Sequence, residues 1–199
     1  VAQDCTHVAA IAKAFEGRAS IRVDVNQAWS REQAHEGAAL LQNAGVVLIE
    51  QPLAKTDVSG MAELAREFDI AIMPDEALTG PVSARNLAAE RAGDAFALKI
   101  TQSGGLSGCA EVARIARAAN IAVYGGTMLE GGVGTAASAH LFSCFPAMDW
   151  HTELFGPLLM KEEILEAPLE YGEFGLLVPA GPGLGIKVDR ERLDRFRRP

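Results

Sequence analysis

Six short apolar runs recur along the chain at nearly even intervals, at 21–24, 46–50, 70–75, 96–99, 121–124 and 150–153. Near-continuous aliphatic and β-branched stretches of this length suit parallel strands buried on both faces. Helical patterns fill the gaps. Met61, Leu64, Ala65 and Phe68 share one helical face. Ser30 and Gln33 form a capping box ahead of Ala34, Ala38 and Leu41, and Gly45 follows the end of that helix. Pro81 opens the next helix and Gly93 closes it. Gly104 and Gly105 precede another, whose apolar face is Val112, Ile115, Ala116 and Ala119. A further helix, with Val8, Ile11, Ala12 and Phe15 on one side, opens the chain. Strand followed by helix, repeated in this way, predicts an α/β fold with a parallel sheet.

The polar residues that end the runs choose between an open sheet and a barrel. Asp24, Glu50, Asp75 and Lys99 close four successive strands at intervals of 26, 25 and 24 residues. In a (β/α)8 barrel such strand ends share one rim and their side chains converge, whereas an open sheet spreads them along a row. The expected fold is therefore a partial TIM-type barrel of about six βα units over residues 1–157. A helix with no strand before it suggests a start in mid-barrel. After residue 157 the beat stops, and the Gly- and Pro-rich stretch 158–199 reads as loop and strand packing on something other than the barrel.

Composition excludes several functions. With 18 Lys+Arg against 26 Asp+Glu the net charge is -8, which repels phosphate backbones, so no nucleic-acid partner is expected. No apolar run is long enough to span a bilayer, so no membrane partner is expected either. Cys5, Cys109 and Cys144 are odd in number and widely scattered. They read as small core residues of a protein in a reducing compartment, the cytoplasm.

Three carboxylates gathered at one rim repel one another unless a cation neutralises them. Asp24, Glu50 and Asp75 offer only hard oxygen donors, which suits Mn²⁺ or Mg²⁺ better than a zinc-type ion. Such an ion, bound to a substrate carboxylate, would stabilise an enediolate. Lys99 could carry a proton beside it, with a pKa lowered by the nearby cation. A lone acid at a strand end is more often a helix cap, but four polar residues in register are harder to dismiss. The glycine-rich segment 125–132 could cradle an anion on its backbone N–H groups, a weak signal by itself. Glu153 fits a general acid and a salt-bridge partner equally well. His140 reads as structural, and His7 and His35 as exposed helix residues.

At these positions the sequence resembles the enolase superfamily, and within it the muconate-lactonising branch. The resemblance is carried by Arg22-Val23-Asp24-Val25-Asn26-Gln27, Leu48-Ile49-Glu50-Gln51-Pro52, Pro74-Asp75-Glu76, Ala97-Leu98-Lys99-Ile100, Tyr124-Gly125-Gly126-Thr127-Met128-Leu129-Glu130 and Thr152-Glu153-Leu154-Phe155-Gly156-Pro157. It implies an isomerase of aromatic degradation that interconverts cis,cis-muconate and muconolactone through an enolate. Asp24, Glu50 and Asp75 would hold Mn²⁺ or Mg²⁺, Lys99 would face the substrate opposite the usual base, and Glu153 would be the assigned proton donor. The branch also includes chloromuconate cycloisomerases, o-succinylbenzoate synthases and dipeptide epimerases. The resemblance further implies a dicarboxylate substrate, a large homo-oligomer and a capping domain on which residues 158–199 would pack. The Lys-x-Lys pair that carries the family's base is not among these residues and would fall before Val1. The 199 residues alone are therefore expected to be inactive, and a non-catalytic role is the competing reading.

Overall fold

The computed structural model of the chain describes residues 1–15, 17–173 and 175–197. Three parallel strands, β1 (Arg22–Asp24), β2 (Leu48–Glu50) and β3 (Ala71–Met73), lie side by side, with Asp24 opposite Glu50 and Glu50 opposite Met73. A second parallel pair follows, β4 (Ala95–Leu98) and β5 (Ala122–Gly125). Between them run α1 (Ala2–Phe15), α2 (Arg31–Asn43), α3 (Val58–Glu67), α4 (Pro81–Glu90), α5 (Leu106–Ala118) and α6 (Gly132–Ser143). The Ser30–Gln33 capping box forms as expected, and Pro81 takes the first turn of α4. That helix ends on Arg91 in the left-handed conformation, ahead of Gly93.

Alternation along each strand separates two apolar layers. Val23, Ile49, Ile72, Phe96, Leu98 and Val123 face outward into the layer packed by the helices. Leu48, Met73, Ala95, Ala97 and Tyr124 face inward and form a smaller cluster of their own. The same period carries Asp24, Glu50, Asp75 and Lys99 to the inner side, at the carboxyl end of the arc. Arg22 also points inward. Its guanidinium stacks over Tyr124 and Trp150 and donates to the Trp150 carbonyl at 2.9 Å.

The sheet departs from an even ladder at two places. Between β3 and β4 the chain carries Pro74, which has no N–H to donate, and an aspartate bridges the two strands instead. Asp94 donates its backbone N–H to the Ile72 carbonyl (2.8 Å), and its carboxylate accepts from the Ile72 N–H (2.9 Å). The sixth run, 150–153, contributes one bridge only, Thr152 beside Gly125. There Asp149 plays the same part, its carboxylate accepting from the Val123 N–H at 3.0 Å. Substituting Asp94→Ala orphans a buried N–H and should cost about 1–3 kcal/mol in urea unfolding, with helix content retained.

The segment after residue 157 packs in part on the barrel. Leu165 and Leu169 close over Ala136 of α6 together with Val133, Tyr171, Leu184 and Ile186. Tyr171 donates its hydroxyl to the Leu154 carbonyl at 2.8 Å, and the Glu163 carboxylate accepts from the Gly132 N–H at the start of α6. The physical reason is that α6 is rich in small residues, so the tail's leucines approach its backbone closely. A short antiparallel pair, β6 (Tyr171–Gly172) and β7 (Gly175–Leu176), and α7 (Arg190–Phe196) complete the segment. Within the expected tail, residues 174, 198 and 199 lie outside the described residues. Cys5 and Cys109 are buried as expected, but Cys144 is exposed at the end of α6. Among the described residues no helix is long and apolar enough to cross a membrane.

Candidate active site

The rim brings most of the sequence candidates together. The Lys99 ammonium donates to Asp75 Oδ2 at 2.5 Å and stands 4.0 Å from Glu50 Oε1, and all three side chains are largely buried. Gly126 makes this reach possible, because a Cβ there would lie 2.8 Å from Lys99 Cε. Asp24 sits beside Glu50 in the strand register but more exposed, with Oδ1 accepting from the Asn26 N–H at 2.9 Å. Glu153 accepts from the Thr127 N–H at 3.3 Å on the far side.

Electrostatics binds these groups into one cluster. Burial, followed by the charges of Asp75 and Asp24, pushes the Glu50 carboxyl up to about 8, with Lys99 opposing and Glu153 adding to the rise. Burial draws the Lys99 ammonium down, but the hydrogen bond to Asp75 and the charges of Asp75, Glu50 and Glu153 outweigh it, so it is raised overall. The lowered lysine expected from the sequence presupposed a neighbouring cation. In this chain the lysine is itself the counter-ion of the acids. Burial and the nearby Glu153 and Glu50 carboxylates raise the Tyr124 hydroxyl as well.

As they stand, no three carboxylate, imidazole or thiol side chains among the described residues are close enough to clasp an ion. The donor set nevertheless fits a hard divalent cation. Asp75 Oδ1 is buried with no hydrogen-bond partner, and Glu50 is held among like charges, so both gain from a positive ion.

The glycine-rich segment is already supplied with anions from the chain itself. Glu153 takes the Thr127 N–H, and Glu130 takes the Met128 N–H (3.0 Å) and the Thr127 hydroxyl (2.5 Å). This leaves little for an external phosphate. His140 bonds the Leu184 carbonyl at 3.2 Å, a structural role, while His35 contacts Glu67 at 3.3 Å.

One residue at this rim escaped sequence reasoning. Gln51 is fully buried, and its side-chain oxygen accepts from the Asp75 and Ala77 N–H groups at 2.9 and 3.1 Å. No periodicity marks it. The available signal was an amide directly after a rim glutamate.

An arc of parallel strands with acid, acid, acid and lysine on successive carboxyl ends defines a class. The chain belongs to the enolase C-terminal domain-like family, whose model matches residues 1–192. Muconate cycloisomerase 1-2 of Acinetobacter lwoffii is 56% identical over 198 residues, covering 100% of this chain and 51% of that protein. A chloromuconate cycloisomerase of Cupriavidus necator is 40% identical over 197 residues, covering 99% of this chain and 53% of that protein. The crystal structure of muconate lactonizing enzyme from Pseudomonas fluorescens complexed with muconolactone superposes with a TM-score of 0.95 at 48% identity. That match covers 98% of this chain and 53% of the solved one. The chain thus spans about half the length of the curated relatives it matches.

Proposed function

We propose that these residues form the metal-binding part of a muconate cycloisomerase acting on cis,cis-muconate in the cytoplasm as a homo-oligomer. The observation that carries this reading is the junction of Lys99 with Asp75 and Glu50 on the inner rim. Its support in sequence is the higher identity to a muconate cycloisomerase, 56%, than to a chloromuconate one, 40%. Asp24, Glu50 and Asp75 would hold Mn²⁺ or Mg²⁺. When bound, such an ion supplies Lewis-acid stabilisation for negative charge growing on a substrate carboxylate.

The chain's own residues act around that charge. As one carboxylate of the substrate closes on the double bond, a C–O bond forms and the π electrons move towards the other carboxylate. Lys99, raised and cationic, faces this enolate as a fixed positive charge. The product is completed when the α-carbon of that enolate takes a proton and the electron pair returns to form its C–H bond. Glu153, within electrostatic reach of Lys99 and Glu50, would supply that proton from its carboxyl group. Tyr124 and the aliphatic stem of Lys99 help exclude water beneath the rim. The exposed Leu177 and Val178 of the tail suit a contact with a capping domain.

Calorimetric titration with Mn²⁺ tests the site, and loss of ultraviolet absorbance by muconate tests the reaction. The expected result is one Mn²⁺ per chain, lost in Asp24→Asn, Glu50→Gln and Asp75→Asn, with no measurable lactonisation by residues 1–199 alone. Unaltered Mn²⁺ binding in all three variants would remove the carboxylates from the site. Turnover by the isolated chain at the rate of its full-length relatives would overturn the division of labour.

A further inference from the structure

The strand ladders leave one of the three rim acids without a fixed position. Asp24 is paired directly with Glu50, but the last ladder residue of β3 is Met73, so Asp75 lies two residues beyond the register. Beyond a turn bond from the Leu78 N–H to its carbonyl at 2.8 Å, its peptide is held by side chains. The Gln51 oxygen accepts the Asp75 N–H, and Gln102 donates to the Asp75 carbonyl at 3.2 Å.

Gln51 is connected to every acid-bearing strand end. Its backbone N–H donates to the Met73 carbonyl and its carbonyl accepts from Gln27, both at 2.8 Å. Its side-chain nitrogen donates to the Leu53 carbonyl at 2.9 Å, which, with the two amides on its oxygen, leaves the buried group well satisfied. Its backbone adopts φ 33°, and Asn26 and Gln27 just beyond Asp24 are also left-handed, at 49° and 65°. Three non-glycine residues in this region at one rim mark strain held in place by surrounding hydrogen bonds.

We propose that Gln51 is the positioning residue that sets Asp75 against Glu50, and that divalent-ion affinity depends on the oxygen of its side-chain amide. This rests on the metal-site reading given above. A side chain that orients ligands through their backbone should affect metal affinity more than global stability.

Gln51→Asn keeps the amide but shortens it by one methylene, so its oxygen no longer reaches both N–H groups. Gln51→Met keeps the length of the side chain but removes the accepting oxygen. Leu64→Ala, in the buried face of α3 away from the rim, serves as a control for lost stability. Each protein is titrated with Mn²⁺ by calorimetry, the bound ion is examined by electron paramagnetic resonance, and metal-free unfolding is followed by circular dichroism. Gln51→Asn should bind Mn²⁺ roughly 10- to 100-fold more weakly with an altered resonance line shape. Gln51→Met should show the same loss and the same altered line shape, and Leu64→Ala should keep both affinity and line shape. Wild-type affinity and line shape in Gln51→Asn would overturn the proposal, as would an equal loss in Leu64→Ala. Absence of Mn²⁺ binding by the wild-type chain would instead overturn the metal site itself, and the role of Gln51 with it.

Discussion

Replacing Glu50 with glutamine should stabilise the metal-free protein while removing its hold on a divalent ion. Glu50 is pushed up to about 8 by burial and by the charges of Asp75 and Asp24. A carboxyl whose folded pKa lies above its unfolded value binds more protons when folded. Its contribution is neutral below the ordinary value of 4.5, grows less favourable as pH rises towards 8, and is fully unfavourable beyond. The penalty at high pH is on the order of a few kcal/mol after allowance for partial screening. Glutamine cannot ionise, so the variant should lose this slope. Urea unfolding between pH 5 and pH 9 in the presence of chelator measures it. The wild-type protein should lose stability across that window and Glu50→Gln should stay nearly level. Parallel slopes for the two proteins would mean that Glu50 does not carry the repulsion.

Substituting Lys99→Met should have the opposite effect on the metal-free chain. The ammonium is the only cation within salt-bridge distance of Asp75 and Glu50 among the described residues. Its removal leaves buried acids without a counter-charge, which typically costs about 3–5 kcal/mol. The loss should be greatest at pH 8 and shrink on acidification, as the carboxyls take up protons. Saturating Mn²⁺ should restore most of the stability, because the ion replaces the missing charge, and Mn²⁺ should bind more tightly than to the wild type. Equal destabilisation with and without metal would show that the lysine matters for packing alone. Together the two variants separate repulsion among the acids from its relief.

The rim was legible because it follows from a simple rule. Once 21–24, 46–50, 70–75 and 96–99 read as strands, the inward side of each places Asp24, Glu50, Asp75 and Lys99 at one end of the arc. Helix starts were equally open to reading, since Ser30 and Pro81 carry local chemistry that sets the backbone. The stitching residues were not. Asp94 and Asp149 look like ordinary turn residues, and their value lies in backbone groups more than twenty positions away. Gln51 has the same character. The glycine-rich segment misled for a related reason: its free N–H groups were visible in the sequence, but the Glu130 and Glu153 oxygens that meet them depend on the folded path. The tail's leucines bury against α6 through contacts that no periodicity announces.

Arg22 works like a tie rod across an arch. It starts on the first strand of the arc and ends on Trp150, just before the last, so the chord between the two ends has the length of one rigid, stacked guanidinium side chain. Asp24 and Glu153 stand on those same two ends. The gap between those two carboxylates is therefore gauged from below, and a shorter or floppier side chain at position 22 would change the calibre of the mouth without touching its lining.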